Sequence, residues 1–292
     1  MYLFDYLQNS PITFYISMAV FGLIVGSFLN VVIYRLPKML ESDWQQQCRA
    51  LLKLDTPASV PAEYLSLITP RSQCPQCSHK IAAIENIPVV SYLVLGGKCS
   101  ACHHPIGVRY PVIELTSGIL ALFSAWHFGF GTHALLAALL AWALLTLSVI
   151  DIDQQLLPDD ITLPFLWLGI LTNLYGVFTN IHSSLIGAMA GYCSLWTVYK
   201  VFKLLTGKEG MGYGDFKLLA MLGAWLGWQM LPLIILLSSL AGAIIGIGLI
   251  MSKTHDKNIP IPFGPYLALA GWIALFWGHD INILYLRWSA GN

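Results

Sequence analysis

The sequence predicts an all-α polytopic membrane protein with about eight transmembrane helices. Three observations carry this. Only 10% of the 292 residues are charged and 57% are hydrophobic, whereas a soluble domain carries about 25% charge. Apolar stretches recur at 12–34, 112–128, 132–150, 161–179, 183–202, 216–229, 231–251 and 262–279. A spanning helix needs about 20 predominantly apolar residues, within roughly 17–25. The basic residues, finally, crowd into alternate loops.

The elements follow in chain order. No Lys or Arg precedes Arg35, so the first stretch lacks the basic start of a secretory signal and reads as a retained anchor. The second to fifth stretches are separated by short polar or glycine-bearing turns. The sixth is short, and Gly227 with Pro232 divides it from the seventh; read as one helix, 216–251 is too long for a single span. An even count puts both termini on one side. With the N-terminus periplasmic, loop 35–111, the region 200–217 and loop 252–261 place fourteen of the 15 Lys and Arg residues at the cytoplasmic face, leaving Arg287 opposite. Formal net charge is zero, which argues against a nucleic-acid partner. No internal repeat of the transporter kind is legible. The organisation expected is a first transmembrane helix in 1–35, a cytoplasmic domain in 36–111 and a seven-helix membrane domain in 112–292.

The cytoplasmic segment holds Cys74-Pro-Gln-Cys77 and Cys99-Ser-Ala-Cys102, with 21 residues between the pairs. Two such knuckles can set four thiolates tetrahedrally around one Zn²⁺. Disulfides are the competing reading, but a reducing compartment disfavours them. Four thiolates close the site, so the zinc is structural and folds a segment too small to build much core. His79, His103 and His104 read as bystanders. Cys48 and Cys193 have no partner at ligand spacing, and Cys193 reads as an ordinary buried apolar residue.

Ionisable groups at the edges of spans are costly and mark function. Asp151 and Asp153 end the third span, Asp159 and Asp160 precede the fourth, and Asp215 opens the sixth within Gly212-Tyr-Gly214-Asp215. The topology sets Asp151 and Asp215 at one depth. Two carboxylates sharing a site hold one proton between them: the ionised one draws a proton from water while the protonated one polarises a carbonyl. Gly212 and Gly214 let backbone approach a substrate strand. The alternative, that such acids mark solvated helix ends or cap the next helix, suits Asp153, Asp159 and Asp160. It suits Asp215 less, since a Gly-x-Gly lead-in has no capping purpose. Neither a His-Glu-x-x-His helix nor a Gly-x-Ser-x-Gly turn is present. Of the other polar residues, Glu114 lies just inside the second span, where it serves a substrate amine or pairs with Arg109 or Arg35. Asn30 reads as an inter-helix hydrogen-bonding group, and Lys217 as a snorkelling side chain. From residues alone, a two-activity enzyme, a protease only, and a non-enzymatic scaffold with a zinc module all remain open.

Seven segments narrow this. They are Gly26-Ser-Phe-Leu-Asn30-Val-Val-Ile-Tyr-Arg35-Leu-Pro37, Pro70-Arg-Ser-Gln-Cys74-Pro-Gln-Cys77, Glu85-Asn-Ile-Pro88, Arg109-Tyr-Pro-Val-Ile-Glu114, Asp151-x6-Pro158-Asp159, Gly212-Tyr-Gly-Asp215-Phe-Lys217 and Pro262-Phe-Gly-Pro265. Together they resemble the type IV prepilin peptidases, along nearly the whole chain. The stretch Tyr64–Thr69 departs from the Asn-containing form of that family. The resemblance implies an intramembrane aspartyl protease of the Gly-x-Gly-Asp group, with Asp151 and Asp215 as the catalytic pair and 112–292 as the protease domain. Gly212, Gly214, Glu114, Gly264 and Pro265 are then the expected substrate-binding residues. It implies prepilin and pseudopilin substrates, cut on the cytoplasmic side of the bacterial inner membrane after a Gly that precedes an apolar helix. The new N-terminal residue is then methylated with S-adenosylmethionine, and the retention of Cys74, Cys77, Cys99 and Cys102 favours this bifunctional type.

Overall fold

The computed structural model describes residues 2–53, 65–251 and 261–289. Tyr64 and the loop lysines Lys253 and Lys257 lie outside the described residues. Among the described residues ten α-helices follow in order: α1 (Tyr2–Asn9), α2 (Pro11–Leu52), α3 (Val90–Val94), α4 (Arg109–Phe128), α5 (Thr132–Gln154), α6 (Asp159–Leu174), α7 (Ile181–Thr206), α8 (Tyr213–Leu226), α9 (Leu231–Met251) and α10 (Gly264–Ser289). Among the described residues there is no strand, only two isolated antiparallel bridges. The chain divides into two compact units, Met1–Trp142 and Ala143–Asn292, with the boundary inside α5.

Each of the eight apolar stretches corresponds to one helix. Among the described residues six helices are long and apolar enough to cross a membrane, by length and composition: α2, α4, α5, α7, α9 with its lead-in turn, and α10. The other two are shorter. With 16 residues in α6 and 14 in α8, they reach about 24 and 21 Å at 1.5 Å per residue, short of the roughly 30 Å hydrocarbon core. For α8 the reason is its surroundings. Every residue from Leu218 to Leu226 is buried, so this helix faces protein and needs no lipid-matched length. The break at Gly227 is real: it adopts φ +84° and ends α8.

In the first unit α2 runs on as one helix of 42 residues, so the first part of the predicted 36–111 domain is helical. Its apolar half packs on α4 through small residues. A Cβ at Gly22 would lie 2.8 Å from the Ser117 carbonyl oxygen, and one at Gly26 2.7 Å from the Glu114 Cα. The Gly22-Leu-Ile-Val-Gly26 spacing is the small-residue pattern that lets membrane helices touch backbone to backbone. Polar groups are satisfied across the contact, as a membrane demands: Ser117 Oγ donates to the Gly22 carbonyl at 2.6 Å, and Asn30 Nδ2 to the Tyr110 carbonyl at 3.1 Å. The inter-helix role read for Asn30 is therefore observed.

In the second unit α8 is the central helix. Gly187 of α7 and Gly223 of α8 meet with no side chain between them, and a Cβ on either would strike the other's carbonyl. The C-terminus of α8 is capped from outside. Asn173 Nδ2 donates to the carbonyls of Ala224 at 2.8 Å and Trp225 at 2.9 Å, and Ser184 Oγ donates to Ala224 at 2.6 Å. These bonds satisfy carbonyls that every helix end leaves orphaned. Cys193, expected to be buried, is exposed on α7; an apolar residue on a membrane helix suits the lipid-facing side as well as the core.

Candidate active site and metal centre

Asp151 lies one turn before the end of α5. That end is set by Gln155, whose left-handed backbone (φ +52°) returns its N–H to the Asp151 carbonyl at 2.9 Å. The Asp151 side chain is buried, at 5% exposure. Its Oδ2 accepts the backbone N–H of Gly264 at 2.9 Å.

Asp215 is at the third position of α8 and is 8% exposed. Gly212 is the residue that caps the helix, and a Cβ built on it would lie 3.7 Å from Asp215 Oδ2, so the lead-in runs beside the carboxyl. Asp151 and Asp215 lie close enough to interact electrostatically. Two buried acids from α5 and α8 thus interact, and the Gly264 N–H holds one of them, Asp151.

The glycines around them are close-fitted. A Cβ on Gly264 would sit 2.6 Å from Asp151 Oδ2, and one on Gly214 would sit 2.8 Å from the Cβ of Leu157. Pro265 follows Gly264 in the first turn of α10. Lys217, read as a snorkelling residue, instead donates to both carboxylate oxygens of Asp159 at 2.7 Å. The hydropathy of a span edge does not encode an ion-pair partner 58 residues away. The approach to Gly212 is braced as well. Lys203 Nζ donates to Glu209 at 2.6 Å, and the rings of Tyr199, Tyr213 and Phe216 cluster with centroids 5.4–5.6 Å apart. The Lys203 ammonium holds the Glu209 carboxyl below its usual range. Sequence reasoning missed Leu157, Tyr199 and Glu209; the polar Gly207–Gly212 loop was the available hint.

In the first unit the four cysteines converge. All four Sγ atoms lie within 4.8 Å of one another, with Cys74–Cys102 at 3.8 Å and Cys77–Cys99 at 4.0 Å. Four thiolates at about 2.3 Å from a central ion have edges of about 3.8 Å, so the cluster fits a tetrahedral metal. The two knuckles are equivalent. In each, the first cysteine's N–H meets a histidine carbonyl (His79 or His104, both at 2.9 Å), and a left-handed residue closes the turn (Ser78, φ +57°; His103, φ +56°). The N–H groups of Cys77 and Gln76 draw the Cys74 thiol down to about 6, and those of Cys102 and Ala101 lower Cys99. His79 faces Glu85 at 3.3 Å. Glu85 in turn binds Ser100 and the Ala82 N–H, and these partners hold its carboxyl below the usual range. Glu85 therefore links one knuckle to the other.

Glu114 belongs to this unit. It is 9% exposed and accepts the Val89 N–H at 2.8 Å. Val89 has φ +60°, rare for a β-branched residue. Arg35, one of the expected partners, donates instead to the carbonyls of Ser66 at 2.8 Å and Pro70 at 2.7 Å.

Comparison with known proteins agrees with this architecture. Residues 20–128 match the bacterial peptidase A24 N-terminal domain, and residues 138–247 match the type IV leader peptidase family. A protein of Pseudomonas aeruginosa named prepilin leader peptidase/N-methyltransferase is 55% identical over 98% of both chains. Proteins of the same name from Stutzerimonas stutzeri (54% identical, 98% of each chain) and Legionella pneumophila (43%, 95% of this chain and 96% of the other) also match. No solved structure matches the chain. The chain is a multi-pass membrane protein that belongs to the type IV leader peptidase family.

Proposed function

We propose that this protein cleaves the leader peptide of prepilins and pseudopilins and then N-methylates the new N-terminal residue. The observation that carries the proteolytic half is the interaction of two buried carboxyls, Asp151 and Asp215, with Asp151 fixed by the Gly264 N–H. One carboxylate takes a proton from water, and the resulting nucleophile adds to the scissile carbonyl carbon. The protonated partner supplies a hydrogen bond, then a proton, to the carbonyl oxygen. Collapse breaks the C–N bond, and a proton goes to the departing amine. Gly212, Gly214, Gly264 and Pro265 line the surface assigned to a substrate strand; at Gly212 the absent side chain leaves room for backbone to approach, while at Gly214 and Gly264 the room is taken by Leu157 and Asp151.

The methylating half is assigned to the first unit. S-adenosylmethionine supplies the methyl group when bound. Glu114, a buried carboxylate with no ion pair among the described residues, receives the substrate's new ammonium group. Cys74, Cys77, Cys99 and Cys102 hold one structural zinc, supported by the 3.8–4.0 Å sulfur spacings and the N–H groups aimed at the sulfurs. The crowding of Lys and Arg in alternate loops supports a bacterial inner-membrane location, with both activities at the cytoplasmic face. The test is incubation of the purified protein with a prepilin, with and without S-adenosylmethionine, followed by mass spectrometry. Leader loss plus one methyl is expected; leader loss alone leaves a protease, and neither overturns the reading.

A further inference from the structure

We propose that Lys217 and Asp159 are positioning residues, forming with Leu157 a clamp that sets the distance between the two catalytic carboxyls. The inference rests on the proteolytic reading above. Asp151 and Asp215 come from different helices and share no backbone, so something must fix one against the other. The segment 155–158 leaves the Asp151 end of α5 and enters α6 at Asp159. Lys217 is two residues beyond Asp215, on the same first turns of α8. The ion pair therefore ties the chain leaving one aspartate to the helix carrying the other.

Leu157 makes the same connection by packing. It is buried, and it touches both glycine sites: a Cβ on Gly214 would be 2.8 Å from its Cβ, and a Cβ on Gly264 3.2 Å from its Cδ2. Gly264 is the residue whose N–H holds Asp151, and Gly214 directly precedes Asp215. One short segment thus contacts the supports of both acids, and its far end is fastened by two charge-assisted bonds of 2.7 Å. Two-bond pairs of this kind add geometric definition as well as energy.

The exposure of the pair separates positioning from general stability. The Lys217 side chain is 29% exposed and that of Asp159 51%. Ion pairs this wet add little to global folding. Active-site geometry is far less forgiving, and a displacement of about 1 Å can cost about 10²-fold in rate. Removing the pair should leave the fold and slow the chemistry.

The experiment measures prepilin cleavage by the full-length protein in detergent, for the wild type, Lys217→Met, Asp159→Asn, and the exchanged pair Lys217→Asp with Asp159→Lys. Wild-type cleavage comes first; its absence sinks the proteolytic reading rather than the clamp. Each single variant should lose about 10–100-fold in kcat, with KM within about threefold and the melting temperature unchanged. The exchanged pair should recover most of that loss. Single variants as active as wild type overturn the clamp. So does a loss at Lys217 with none at Asp159, which makes the lysine act alone. So does an exchanged pair that is folded yet no better than the singles.

Discussion

Gly264 donates its backbone N–H to Oδ2 of Asp151 at 2.9 Å, across 113 residues of chain. The start of α10 is therefore part of the aspartate site. Glycine is required because a Cβ there would lie 2.6 Å from the same oxygen. Gly264→Ala should displace the Asp151 carboxyl and lower the initial rate of prepilin cleavage by about 10²-fold, while the protein still accumulates in the membrane. A variant within threefold of wild type would remove Gly264 from the site.

Asp151→Asn and Asp215→Asn should each abolish cleavage with normal membrane levels, because an amide can neither take the proton from water nor give it to the carbonyl. Asp153→Asn should be mild. Asp153 is exposed, and two residues along a helix turn it away from Asp151. Immunoblots of processed and unprocessed prepilin decide this, and robust cleavage by either dyad variant sinks the assignment.

The difference between these residues and the clamp explains what was legible in the sequence. Asp151, Asp215 and the four cysteines could be found because their chemistry is rare at a span edge or in doubled spacing, so residue type alone marks them. Eight helices were legible because hydropathy registers apolar length. That same signal bounds the apolar span of α2 and not the helix: composition turns polar after Pro37, but Lys38–Leu52 is rich in good helix formers and the helix continues. Hydropathy reports where lipid stops, not where the helix stops. The full burial of α8, the exposure of Cys193, the Lys217–Asp159 pair and the wedge of Leu157 depend on which elements become neighbours, and no local window holds that information.

The α7–α8 crossing is a stability test. At Gly187 and Gly223 backbone meets backbone, so an added methyl has no flexible side chain to push aside. Gly223→Ala should destabilise at the upper end of the roughly 1–3 kcal/mol typical of overpacking. Thermal melting in detergent measures it. An unchanged melting temperature would mean the helices part without cost.

Glu85 gives the cysteine loop a pH dependence. Its bonds to Ser100, the Ala82 N–H and His79 hold its pKa below the ordinary 4.5, so the unfolded chain binds the proton more readily. The stabilisation is therefore present above about pH 4.5 and is lost as pH falls through the lower folded value. Glu85→Gln should melt at a lower temperature than wild type at pH 7, both measured without added metal, and the gap should narrow as pH falls below about 4.5. A gap that is constant with pH would show that the carboxylate charge is irrelevant.

The last prediction separates the two activities. The aspartates lie in the second unit, while the cysteine cluster and Glu114 lie in the first, and the two matching family models divide the chain in nearly the same place. Methyl transfer needs an amine nucleophile and a donor that carries its own reactive methyl, so it makes no use of a carboxyl pair that activates water. Asp151→Asn should therefore still methylate a mature pilin supplied already cut, read as a gain of one methyl by mass spectrometry. Conversely, Cys77→Ser breaks a closed four-sulfur site whose metal contributes directly to local folding. Metal analysis should find about one zinc per wild-type chain and much less in this variant. Its methylation should fall steeply, while cleavage falls far less because the aspartates and the Gly264 N–H that holds Asp151 are built without the loop. Loss of both activities in Asp151→Asn, with metal retained and the melting temperature unchanged, would contradict two separable sites.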